Sequence, residues 1–89
     1  MQSTNKNELL LNIEKLHTTD LGVIRIKKNL LLDEEADVVE WCREKIQDPG
    51  ALIDRRGKNW YINIDHCEIT VNTYSYTIIT AHRKRGGLV

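Results

Sequence analysis

His17, His66 and His82 are the three histidines of the chain and the side chains best suited to move protons near neutral pH. His82 closes a run of hydroxyl and apolar residues, 75–82, and is followed at once by Arg83-Lys84-Arg85. A second basic cluster, Arg55-Arg56-Gly57-Lys58, leads into Trp60 and Tyr61. Imidazole, hydroxyls, amides, phenols and cations together suit a phosphodiester or a nucleotide: rings stack on bases, cations hold phosphate, and imidazole exchanges the proton. Metal-independent cleavage of RNA needs a base for the 2′-hydroxyl, an acid for the leaving oxygen and a cation for the phosphorane. In that scheme His82 is the general acid or base and His17 its partner. Lys58 and Arg25 stabilise the phosphate. Tyr61, Asn72, Ser75 and Thr80 position it, with Tyr76 and Arg83 on the same surface or its fringe.

Each of these residues also has a plainer reading. His17 follows a helix and suits a cap at its negative end. His66 follows Asp65 at a hairpin tip and reads as a turn residue. Arg25 is either a surface helix charge or a reach over the sheet edge. Thr, Tyr and Asn are ordinary residues on a solvated strand face. Cys42 and Cys67 are 25 residues apart, fit no zinc spacing, and read as buried reduced thiols packed as small hydrophobes. The second half holds two carboxylates, Asp65 and Glu68, too few for a two-metal nuclease. Nucleophile elbow, phosphate-binding glycine loop, zinc-helix signature and dinucleotide fingerprint are all missing, so neither cofactor nor metal is expected.

The elements that must position these groups divide the chain in two. Its 89 residues make one domain, expected over residues 1–85 with a frayed tail at 86–89. The formal charge is zero, from 13 basic and 13 acidic residues, which excludes a strongly basic nucleic-acid coat and an acidic tail. The zero hides an asymmetry. Residues 1–54 hold 11 acidic and 7 basic side chains, net −4, and residues 55–89 hold 2 acidic and 6 basic, net +4. The first part has helical periodicity. Leu9, Ile13 and Leu16 share a face over residues 7–16, a short helix follows over 21–29, and a third has Asp33 as its N-cap and Val38, Val39, Cys42 and Ile46 as its core face. Asp48-Pro49-Gly50 ends that helix. Strands are then expected at 51–55, 60–65, 67–72 and 75–82, with turns at 56–59, at His66 and at Thr73-Tyr74.

Two or three N-terminal helices can cover one face of a four-stranded antiparallel meander, an α+β fold, and leave the other open. Alternation points Trp60, Ile62, Ile64, Cys67, Ile69 and Val71 inward. It leaves Tyr61, Asn63, Glu68, Thr70 and Asn72 outward. In the last strand Thr77, Ile79 and Ala81 are placed inward, sending Tyr76, Ile78, Thr80 and His82 to the open face, although a one-residue slip would exchange the sets.

Two stretches, 17–26 (HTTDLGVIRI) and 57–82, within which GKNWY, ITVN and SYTIITAH stand out, resemble a family of small bacterial proteins of unknown function over roughly residues 8–85. That resemblance implies no activity. The architecture also resembles the barnase, EndoU, colicin and RelE-like nuclease fold, in which helices carrying His17 and Arg25 precede a meander bearing Lys58, Thr80 and His82. That resemblance implies an RNase-like protein acting on RNA through its open face. The alternative is a non-catalytic nucleotide-binding or protein-inhibitor module of phage or plasmid type, using the same face or the acidic helices. RNA, a nucleotide or a protein are the expected partners, and the exposed last strand offers an edge for a homodimer. With neither a long apolar run nor a signal-peptide pattern, a cytoplasmic location away from membranes is expected.

Overall fold

Strand-period alternation after Gly50 produces four strands. A computed structural model describes residues 5–84, in the order α1 (Asn5–Leu11), a 3-10 turn (Ile13–Lys15), α2 (Asp20–Leu30), α3 (Val38–Ile46), β1 (Leu52–Arg56), β2 (Asn59–Ile64), β3 (Cys67–Asn72) and β4 (Ile78–Arg83). The strands form one antiparallel sheet in the order β1-β2-β3-β4, so the chain is the α+β meander its periodicity implies. The tail expected to fray, 86–89, lies outside the described residues.

Polar side chains set the helix boundaries. The expected helix over 7–16 is cut at Asn12, whose amide nitrogen donates to the Glu8 carbonyl (2.9 Å). A side chain competing for a helix carbonyl tightens the chain into the 3-10 turn that follows. Thr19 caps α2, its hydroxyl accepting the Gly22 N–H (3.0 Å). Asp33 does not cap α3. Asp37 does, its carboxylate accepting the Glu40 N–H (3.0 Å), and Asp33, Glu34 and Glu35 belong to the α2–α3 connection. The difference has a local cause: both are aspartates able to cap a helix, and the packing of Val38, Cys42 and Ile46 decides where the helix starts.

The turns differ in chemistry. Gly57, at φ +62°, opens the β1–β2 turn, narrowed to Gly57-Lys58. At the β2–β3 turn Asp65 and His66 are both left-handed, φ 51° and 63°, the pair of positive angles that matches the twist of a two-residue hairpin. The β3–β4 connection is longer than the two-residue turn expected at Thr73-Tyr74. It runs to Thr77, and β4 begins at Ile78 rather than at residue 75.

One sheet face is dry. Trp60, Ile62, Ile64, Cys67, Ile69 and Val71 all point into the core, as alternation requires, against Leu9, Ile26, Leu30, Cys42 and Ile46 from the helices. The last strand departs from the expected alternation. Val71 pairs with Ile78 and Thr70 with Thr80, so Ile79 is an extra residue, a β-bulge. Ile78 (1% exposed) and Ala81 (0%) face inward and Ile79 (43%) faces out. Tyr76, expected on the open face, is buried instead, its ring 5.3 Å from that of Trp60.

β4 is an edge strand, and α2 lies along it. The Thr18 hydroxyl donates to the Ile78 carbonyl (2.9 Å) and the Asn29 amide to that of Ala81 (3.4 Å). His17 bridges to Thr77 in parallel sense, with Ile78 N–H donating to the His17 carbonyl (2.7 Å). Much of the edge that would serve a dimer by strand pairing is thus occupied within the chain.

Candidate functional site

Antiparallel register sets the outward residues of neighbouring strands side by side. On the face away from the helices, register places Leu52, Asn63, Glu68 and His82 in one row, Asp54, Tyr61, Thr70 and Thr80 in the next, and Arg56, Asn59 and Asn72 in the third. Neighbouring strands are about 4.8 Å apart, so the first two rows span about 15 Å and the third about 10 Å.

The first row brings an acid and a base together. His82 Nε2 lies 3.6 Å from Glu68 Oε1, with the imidazole 43% and the carboxylate 21% exposed. His82 Nδ1 is 3.2 Å from the Arg83 carbonyl. A carbonyl only accepts, so Nδ1 carries the proton and Nε2, the nitrogen that gains or loses one, faces the carboxylate. Lys84 Nζ donates to Asn63 Oδ1 (2.6 Å), holding an ammonium beside the same row. Next to it a cavity of about 460 Å³ opens at the Asp65–His66 end of the sheet, lined by Leu52, Asn63, Ile64, His66, Cys67 and Lys84 among others. Lys45 pairs with Asp65 there (2.7 Å), and this hydrogen bond holds the Lys45 ammonium pKa above its ordinary value. Among the described residues, no three His, Cys, Asp or Glu side chains are grouped to hold a metal ion.

The middle row is tied to the third. Arg56 stacks on Tyr61, its guanidinium 4.2 Å from the ring centroid, and pairs with Asp54 at 3.1 Å. The Asn59 amide donates to the Tyr61 hydroxyl (3.4 Å). One face of the Tyr61 ring is therefore already taken by a cation. Thr80 is half-buried beside Thr70.

His17, Asn72 and Ser75 meet at the opposite end. His17 Nδ1–H donates to the Lys15 carbonyl (2.9 Å), leaving Nε2 to accept from the Thr77 hydroxyl (3.2 Å). Thr77 Oγ1 is 2.7 Å from Ser75 Oγ. Asn72 Oδ1 accepts the N–H groups of Tyr74 and Ser75 (both 2.9 Å), which shapes the β3–β4 loop. Lys58 flanks this end, its carbonyl accepting the Thr73 N–H (2.8 Å).

The structure therefore separates the two expected catalytic histidines. His17 stands at Thr77, just before β4 and five residues from His82 in extended chain, or roughly 16 Å. Arg25 is exposed on α2. Arg83 points to the helix side, opposite Cys67, and its guanidinium donates to the Leu30 carbonyl (3.4 Å) at the end of α2. Tyr76 belongs to the core. Of the expected residues, Tyr61, Thr80, Asn72 and His82 share the open face. Glu68, Asn63 and Lys84 had no role in the expected site. Alternation put Asn63 and Glu68 on the same outward face as His82 and gave Lys84 no face; the signal that joins them is register, set by the Asp65-His66 turn and the Ile79 bulge.

No curated protein and no solved structure matches the chain. Among the described residues no helix is long and apolar enough to cross a membrane. A family model described as a protein of unknown function (DUF3781) matches residues 10–82, and the chain belongs to that family.

Proposed function

We propose that this protein is a small metal-independent ribonuclease that binds RNA on the open face of its sheet. One observation carries the reading: a histidine and a carboxylate stand side by side on the uncovered face, His82 Nε2 3.6 Å from Glu68 Oε1, beside a cavity and the Lys84 ammonium. The Glu68 carboxylate takes the proton of a ribose 2′-hydroxyl. The 2′-oxygen forms a bond to phosphorus as the bond to the 5′-oxygen breaks, and protonated His82 gives its Nε2 proton to that leaving oxygen. The products are a 2′,3′-cyclic phosphate and a 5′-hydroxyl. Lys84 offsets the charge that gathers on the phosphorane. The two side chains touch in the free protein and part around the phosphodiester as it binds. Helices followed by a four-stranded antiparallel meander support the reading by analogy of architecture. His17 falls outside this mechanism and holds the β3–β4 loop.

A fluorescent oligoribonucleotide incubated with the protein in EDTA tests this. His82→Ala and Glu68→Gln are expected to slow cleavage by about 10²- to 10⁴-fold each. His17→Ala is expected to stay within about threefold of the parent, and a 2′-deoxy substrate to remain intact. An inert parent, or a His82→Ala variant as fast as the parent, overturns the mechanism. Binding of RNA without cleavage would instead favour a non-catalytic nucleotide-binding module, a reading supported by the lack of a second imidazole at His82 among the described residues.

A further inference from the structure

The cavity lies on one side of the acid–base pair. Along the row Leu52, Asn63, Glu68, His82, the carboxylate adjoins Asn63, which is a wall of the cavity, and the imidazole stands one strand further away. At about 4.8 Å per strand the cavity abuts the base rather than the acid. Its volume, about 460 Å³, falls within the roughly 300–1,000 Å³ of small-molecule sites. Its walls divide by chemistry. Leu52 offers an exposed apolar side chain, Asn63 an amide, Lys84 an ammonium that attracts an anion, and Asp65 a carboxylate already paired with Lys45.

Resting on the ribonuclease reading above, we infer that this cavity holds the nucleoside on the 5′ side of the scissile bond, the one whose 2′-hydroxyl faces Glu68. The base lies against Leu52 with its polar edge at Asn63. Its 3′-phosphate, the scissile group, reaches Lys84 and the pair. The leaving nucleoside lies beyond His82. An RNA strand thus crosses the sheet in one direction, its 5′ part at the β1–β2 side and its 3′ part over β4. A nucleoside 3′-monophosphate reproduces this arrangement, whereas the 5′ isomer carries its phosphate at the wrong end of the sugar.

Amide NMR titration of the full chain with each of the four nucleoside 3′-monophosphates, their 5′ isomers and inorganic phosphate tests the assignment. At least one 3′-monophosphate is expected to shift Leu52, Asn63, His66, Cys67 and Lys84 and to bind about tenfold more tightly than its 5′ isomer, because only the 3′ isomer adds the charge-assisted bond to Lys84. Leu52→Asp, at an exposed β1 position that leaves the core intact, is expected to abolish that binding. Equal affinity for the two isomers, or no shift at these residues, overturns the inference. Parallel RNA cleavage in EDTA keeps the two readings apart. Cleavage with a silent cavity sinks the cavity assignment alone, and isomer-selective binding without cleavage sinks the catalytic reading alone.

Discussion

Gly22→Ala is a substitution for which helix propensity and tertiary contact predict opposite signs. Gly22 lies in the first turn of α2. Propensity alone favours alanine in a helix by roughly 0.5–1 kcal/mol. A Cβ at this position would sit 2.2 Å from Thr18 Oγ1 and 3.2 Å from Thr19 Oγ1. The first distance is far inside contact, so Thr18 must leave its rotamer. That hydroxyl now donates to the Ile78 carbonyl at the edge of β4, a bond worth about 1 kcal/mol, with a further 1–3 kcal/mol lost if the part-buried carbonyl finds no other donor. Crowding of the Thr19 cap adds a few tenths to about 1 kcal/mol. Set against the propensity gain, the net effect is a loss of about 1–3 kcal/mol, or about 4–24 °C in Tm for a domain of this size. Urea unfolding followed by the fluorescence of buried Trp60 reads it, with an unchanged slope showing that the same surface is exposed. In a Thr18→Ala background the clashing oxygen is gone, so Gly22→Ala should become neutral or stabilising, with a coupling of at least about 1 kcal/mol in the double-mutant cycle. A Gly22→Ala variant at least as stable as the parent refutes the close packing of α2 on β4.

Three further predictions concern the fold. Asp37→Ala should cost about 1 kcal/mol and Asp33→Ala less than about 0.5, measured by urea midpoints, because only Asp37 accepts an N–H of the first turn of α3. Ile78→Thr should cost about 2–4 kcal/mol and Ile79→Thr less than about 0.5, since one buries a hydroxyl in the core and the other sits on the bulge; the reverse order would contradict the register of β4. The Lys45 pKa is raised, chiefly by its hydrogen bond to Asp65, so the stability this pair adds is fully present below the ordinary lysine value of 10.5 and fades as pH rises through the folded-state value. Lys45→Met should therefore cost up to about 0.5 kcal/mol at pH 8, and the gap should close in urea titrations as pH rises through the raised lysine pKa.

The Cys42 and Cys67 reading is also structural. Both thiols are free and buried, and burial pushes the Cys42 thiol up to about 12, with the neighbouring Cys67 charge adding to the rise. A thiol so placed packs as a small hydrophobe and is a poor nucleophile.

Periodicity alone determined the class of the fold. Three segments with a 3.6-residue apolar stripe, a Pro-Gly stop and four segments alternating every second residue leave little choice but helices on one face of a meander, and parity alone sent Trp60, Ile62, Ile64, Cys67, Ile69 and Val71 to the core. Parity also placed Glu68 and His82 on the same outward face. Sequence could not say that they meet. That depends on register, which the Asp65-His66 turn sets for β2 and β3 and the Ile79 bulge resets for β4, and a bulge leaves no mark in a run such as Ile78-Ile79, where either residue suits the core. Tertiary packing alone turned Tyr76 inward against Trp60, moved the cap of α3 from Asp33 to Asp37, turned Arg83 to the end of α2, and left His17 and His82 near opposite ends of β4. Local propensity acts over a few neighbours; which of two nearly equal local choices wins is settled by contacts between residues 10 to 60 positions apart, whose burial outweighs it.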